Sequence, residues 1–122
     1  MDLRNIQRGL IYRFAIDTFS KRKDLPIRMV HVNVLYLVFT LGKKTGTVSV
    51  GAIFSILTKI KHGCDPSFLN KILKDLEELG FVSTTRNGKR RIFGITIDGW
   101  LALGEIEKQV RICRLDRRTI KN

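Results

Sequence analysis

Carboxylates are scarce in this chain. Eleven Asp and Glu stand against twenty-three Lys and Arg, a net charge of +12 at neutral pH over 122 residues. From Phe81 to Ile97 there is no acidic residue at all. Cysteine is nearly missing too: Cys64 and Cys113 form no CxxC pair, and no spacing couples them to His31 or His62, so no metal site is implied. The longest apolar segment, Val34 to Leu41, is too short to span a bilayer. The opening Met1-Asp2-Leu3-Arg4 carries no continuous apolar signal region, and Arg8 and Arg13 interrupt the next residues, so a reducing cytoplasm is the expected compartment. P-loop, GxSxG, HExxH and paired-carboxylate motifs are all missing. Neither an enzyme nor a cofactor is expected.

What is present is positive charge on a globular composition. The apolar fraction, 43%, suits one domain over residues 1–122 with a modest core. A soluble chain this basic usually meets a polyanion, most often nucleic acid.

The stretch from Ser67 to Ile97 organises the rest. Asp65 is placed to cap a helix, with Pro66 at its first position. Leu69, Ile72, Leu73, Leu76 and Leu79 recur at helical spacing, and Gly80 ends the run. Phe81 to Arg86 and Lys89 to Ile97 read as strands joined at Asn87-Gly88, a type I′ turn signal. That turn would set Val82 opposite Phe93 and Thr84 opposite Arg91. A helix followed by a charged hairpin is the arrangement of a winged helix-turn-helix.

The run Leu73-Lys-Asp-Leu-Glu-Glu-Leu-Gly-Phe-Val82, the basic Asn87-Gly88-Lys-Arg-Arg91 and the run Ile95-Thr-Ile-Asp-Gly99 together resemble the MarR-type winged helix regulators, and PadR-like relatives share such patterns. The resemblance spans roughly residues 34 to 105. It implies sequence-specific binding of double-stranded DNA, a role in transcription regulation and a homodimer formed by terminal helices. It leaves any small-molecule effector unidentified. The family's wing carries an Asp-Arg pair near its tip, where this chain has Asn87-Gly88-Lys89-Arg90.

The remaining segments fit that plan. Residues 2–19 form an amphipathic pattern with Leu3, Ile6 and Leu10 on one stripe, and Ser20 to Asp24 reads as a polar break. The fifteen residues 27–41 alternate at Val30, Val32 and Val34 but stay apolar long enough to favour a buried helix, with His31 a satisfied core or edge group. A third short strand is expected near Thr47-Val48. A helix capped by Ser49 should bury Ile53, Phe54, Ile56, Leu57 and Ile60, and the turn beyond it holds Cys64. In the last helix, 97–113, Thr96 is the cap, and Leu103, Ile106 and Val110 step like a coiled-coil seam. This seam and the Leu3/Ile6/Leu10 stripe are the expected dimer contacts, ahead of a basic tail over 114–122.

The expected fold is thus α+β and mostly helical, with residues 48–97 forming the helix-turn-helix and wing. Ser67, Asn70, Lys71 and Lys74 on the helix, and Arg86, Asn87, Lys89, Arg90 and Arg91 on the wing, are the candidate DNA contacts. Two other functions stay open at this level: a winged helix of replication, partition or mobile-element control, and a module whose basic wing meets an acidic protein. Redox sensing through Cys64 or Cys113 is a further alternative.

Overall fold

The computed structural model describes residues 3–43, 45–59 and 65–120, and of residues 3–10, 87 and 113–120 the backbone alone. Among the described residues, five helices and a three-stranded sheet are arranged in the order α1 (Leu3–Lys23), α2 (Met29–Leu41), β1 (Val48–Ser49), α3 (Val50–Lys59), α4 (Pro66–Glu78), β2 (Val82–Asn87), β3 (Arg90–Ile95) and α5 (Ile97–Ile120). This is a winged helix fold. The expected contacts Leu3, Ile6 and Leu10, together with Ile60 and Cys64, lie outside the described residues and side chains.

Helix ends obey local chemistry. The polar break expected at Ser20 is instead the last turn of α1, which closes at Asp24 in the left-handed region (φ 53°). The Leu25 N–H donates to the Ser20 carbonyl at 3.0 Å and the Asp24 N–H to the Lys21 carbonyl at 3.3 Å, a Schellman closure. The Ser49 hydroxyl caps α3 through the Ala52 N–H at 3.2 Å, and Asp65 caps α4 through the Ser67 N–H at 3.1 Å. Helix α5 runs on through the segment expected to be a tail. Arg and Leu favour helix, and no Gly or Pro comes after Gly104 to stop it.

Helix α2 sits at the centre, touching every other helix and β3. Its Val32, Val34, Leu35 and Val38 are buried with Ala15, Ile16 and Phe19 of α1, Ile53 of α3, Leu69, Leu73 and Leu76 of α4, and Phe93 of β3. The seam Leu103, Ile106 and Val110 belongs to this same core, at 5%, 2% and 1% exposure. The seam is therefore not the dimer contact expected of it: α1 and α2 both pack on α5, and the seam is buried in the chain's own core rather than free to bind a second chain.

The hairpin differs from its sequence signal. Asn87 pairs with Arg90, Arg86 with Arg91, Thr84 with Phe93 and Val82 with Ile95, so the turn is Gly88-Lys89. Gly88 has φ +67°, and Asp24 is the one non-glycine residue at positive φ among those described. A turn with positive φ only at its first central position is type II′, which needs glycine there and nothing special after it. The register moves by an even number of residues, so every side chain keeps its face. It also brings Val82 and Ile95 together as a cross-strand apolar pair at the wing's base. On the far side β3 pairs with β1, Val48 lying opposite Phe93.

One knot joins α4, the wing and α5. Gly80 (φ +80°) turns the chain out of α4, and the Phe81 N–H donates back to the Leu76 carbonyl at 2.9 Å. From the other end of the wing, the Thr96 N–H donates to the Phe81 carbonyl at 3.0 Å. The Thr96 hydroxyl donates to the Gly80 carbonyl at 2.6 Å and accepts from the Gly99 N–H at 3.0 Å. A Cβ on Gly99 would lie 2.2 Å from the Phe81 carbonyl oxygen, so this position admits glycine alone. Gly99→Ala should destabilise the protein by about 3 kcal/mol, because the obstruction is backbone and cannot rotate away. Gly104→Ala meets nothing within 4 Å and should stabilise by about 0.5–1 kcal/mol through helix propensity. Urea melts of the two variants check this contrast.

Candidate nucleic-acid interface

Helix α4 buries one stripe, Leu69, Ile72, Leu73 and Leu76, and turns the opposite side outward. At 100° per residue, Ser67, Lys71 and Lys74 lie opposite that stripe and Asn70 flanks it. All four are exposed. The N-terminal half thus presents two lysines and an amide at the end where the helix dipole favours anions. Phe68 is also exposed there, at 37%. It is not among the candidate contacts expected from the sequence, although its place off the buried stripe is legible there.

Two of the three carboxylates of the same helix are bonded to other elements. Asp75 reaches His31 of α2, Oδ2 to Nε2 at 3.0 Å. His31 is 2% exposed, and its Nδ1 accepts the Arg28 N–H at 3.2 Å. That acceptor role leaves Nε2 as the nitrogen donating to Asp75. The histidine therefore ties the start of α2 to the middle of α4. Its 44-residue separation from Asp75 leaves no periodic trace in the sequence.

Glu77 turns to the wing. Its Oε2 accepts from the Thr84 hydroxyl at 2.5 Å and lies 3.9 Å from Arg91 Nη2. Both charged side chains are 44% exposed, so the ion pair adds at most about 1 kcal/mol to stability. Arg91 also lies over the Phe93 ring, 5.6 Å from its centroid. Of the three acidic residues after Lys74, only Glu78 remains on the outer face.

On the wing, Arg86, Lys89, Arg90 and Arg91 are all exposed. Strand pairing puts Arg86 and Arg91 on the face shared with Thr84 and Phe93, and Arg90 on the opposite face. The side chain of Asn87 lies outside the described set. The tertiary structure thus brings the α4 lysines and the wing cations to neighbouring elements, with Glu77 reaching Thr84 and Arg91 between them. A separate groove of about 700 Å³ between α2 and α5 is lined by Tyr36, Phe39, Trp100 and Leu101 among others, and by none of these basic residues. Glu107 on its wall accepts from the Tyr36 hydroxyl at 3.0 Å; burial, then Glu107, raise the Tyr36 pKa. Among the described residues no group of acidic, histidine and cysteine side chains is placed to hold a metal ion, and no helix is long and apolar enough to cross a membrane.

No protein-family model matches the sequence, and no curated protein matches it. Solved structures do match. A MarR family transcriptional regulator from Rhodococcus sp. RHA1 is 19% identical with a TM-score of 0.63, over 87% of this chain and 70% of that one. The protein RV1404 from Mycobacterium tuberculosis is 14% identical with a TM-score of 0.69, over 95% and 75%. A mutant MarR from E. coli complexed with operator DNA is 14% identical with a TM-score of 0.65, over 87% and 67%. The chain has the winged helix fold of the MarR-type regulators.

The His31–Asp75 tie carries a stability prediction. Asp75→Ala leaves a buried imidazole N–H without its partner and should cost about 1–3 kcal/mol, while Asp75→Asn keeps an acceptor and should cost less than half of that. Equal melts for Ala and Asn variants in urea would mean that the hydrogen bond does not hold α4 to α2.

Proposed function

We propose that the protein is a DNA-binding transcriptional regulator that reads duplex DNA with α4 and grips its backbone with the wing. The observation that carries this reading is the pairing of two exposed basic elements on neighbouring parts of one fold. The outer face of α4 is basic at its N-terminal half, and the wing from Phe81 to Ile97 is free of carboxylates. Like charges crowded on a hairpin repel one another, and a polyanion relieves that repulsion. The similarity to a structure complexed with operator DNA supports the same reading. In this scheme α4 enters the major groove by its N-terminal half. Asn70 pairs with adenine and Lys71 or Lys74 donates to guanine. Arg86, Lys89 and Arg90 meet phosphate or the minor groove.

The proposal extends to a homodimer built on the terminal helices, through a different stripe from the buried seam. Ile97, Leu101 and Ile112 recur on one face of α5 at 78%, 51% and 40% exposure, Trp100 beside them is at 57%, and Phe14 of α1 is at 62%. Large apolar side chains grouped in this way mark an interaction surface. Residues 3–23 and 97–120 are accordingly the proposed dimer elements, and 48–97 the DNA-binding part.

Selection of bound sequences from random duplex DNA tests the reading as a whole. Asn70→Ala and Lys71→Ala should each lose about 1–3 kcal/mol of discrimination at one base step while keeping most non-specific affinity. Arg90→Ala should weaken all sequences alike and lower the salt slope by about 0.9. Equal losses on selected and random DNA would remove Asn70 and Lys71 as base readers. Light scattering should give a dimer that Leu101→Asp converts to monomer, and the selected site should then be palindromic.

A further inference from the structure

Of the wing's four exposed cations, Arg91 stands apart by its surroundings. It is the one with a carboxylate within ion-pair distance among the described residues, Nη2 lying 3.9 Å from Glu77 Oε2. That same oxygen is held by the Thr84 hydroxyl on the neighbouring strand at 2.5 Å. The guanidinium also rests over Phe93, a side chain that is 1% exposed and anchored in the core. Contacts from α4 and β3 therefore converge on one guanidinium, and β2 holds the carboxylate beside it through Thr84. Arg90, next in the chain, projects from the opposite face of the ribbon with no such partner.

We propose that Glu77 is an internal competitor for Arg91: it holds the guanidinium that a phosphate would otherwise take. The wing then meets a polyanion through Arg86, Lys89 and Arg90, and Arg91 is a positioning residue that sets the wing against α4. This rests on the polyanion-binding reading of the wing. A phosphate approaching Arg91 must displace Glu77 or face its charge at close range. The pair sums to zero charge, so it releases little counterion from DNA. Thr84 makes the competitor a fixed one, because its hydroxyl orients the carboxylate whether or not a polyanion is near. The arrangement subtracts one sequence-independent contact from a strongly basic wing, which raises the share of binding left to base readout by α4.

A double-mutant cycle read by salt dependence tests this. Glu77→Gln removes the charge and keeps an acceptor oxygen for Thr84. Binding of random-sequence duplex DNA is titrated between 50 and 200 mM salt, and elution from a heparin column is measured beside it. In the native background Arg91→Ala should leave the slope of log K against log salt unchanged. In the Glu77→Gln background the same substitution should lower it by about 0.9, roughly a 3.5-fold difference across that fourfold salt range. Glu78→Gln changes the net charge by the same amount one residue along and should show no coupling to Arg91→Ala. Thr84→Val, which frees the carboxylate at constant charge, should couple with the same sign as Glu77→Gln. A full drop in slope for Arg91→Ala in the native background would overturn the proposal, as would equal coupling for Glu78→Gln. If no variant binds duplex DNA but the coupling persists on heparin, the Glu77 assignment stands and the DNA-binding reading falls. If the coupling is missing on both, the Glu77 assignment falls.

Discussion

The Phe81 carbonyl is the point on which the arrangement of this molecule depends. It accepts the Thr96 N–H, and Gly99 passes so close that a side chain there would collide with it. Thr96 meanwhile holds the Gly80 carbonyl with the same hydroxyl that caps α5. The exit of α4, both ends of the wing and the start of α5 are thus joined within a few residues. The wing leaves α4 and returns to it, so its direction is set relative to the helix it flanks. Because α5 starts from this point and lies along α1, the terminal helices take their position from it as well.

Electrostatics explains why so basic a molecule keeps a defined surface. Helix α4 carries three carboxylates after its lysines, and a repelled, outward-facing acidic end would have been the simple expectation. Instead Asp75 is bound to a buried histidine of α2 and Glu77 to the wing. Both carboxylates act on the protein's own architecture, one fixing α4 to the central helix and the other fixing the wing to α4. The outer face is left with Ser67, Asn70, Lys71, Lys74 and one acid, Glu78. The same economy applies on the other side of the fold, where Glu107 accepts from Tyr12 of α1 and Tyr36 of α2, joining three helices at one carboxylate.

Local signals are legible in the sequence alone, and they hold wherever the physics is local. The Asp65-Pro66 start of α4, its Leu69/Ile72/Leu73/Leu76 stripe, its glycine stop at Gly80, the Ser49 and Thr96 caps and the long buried α2 all depend on neighbours within a turn or two. Basic residues on the outer face of α4 and at the wing tip are legible for the same reason, since exposure comes from being off the apolar stripe or on an acid-free hairpin. What only the tertiary structure decided depends on contacts far apart in the chain. The seam Leu103/Ile106/Val110 has the same spacing whether it faces another molecule or its own core; only the packing of α1 and α2 on α5 buries it, leaving Ile97, Leu101 and Ile112 outside. Asn87-Gly88 and Gly88-Lys89 are both acceptable turns locally, and the second goes with a sheet in which Val82 lies opposite Ile95 and Phe93 opposite Thr84 and Val48. The partners of His31, Asp75 and Glu77 obey no period at all, because a hydrogen bond between two elements depends on where their backbones cross and not on the residues beside it.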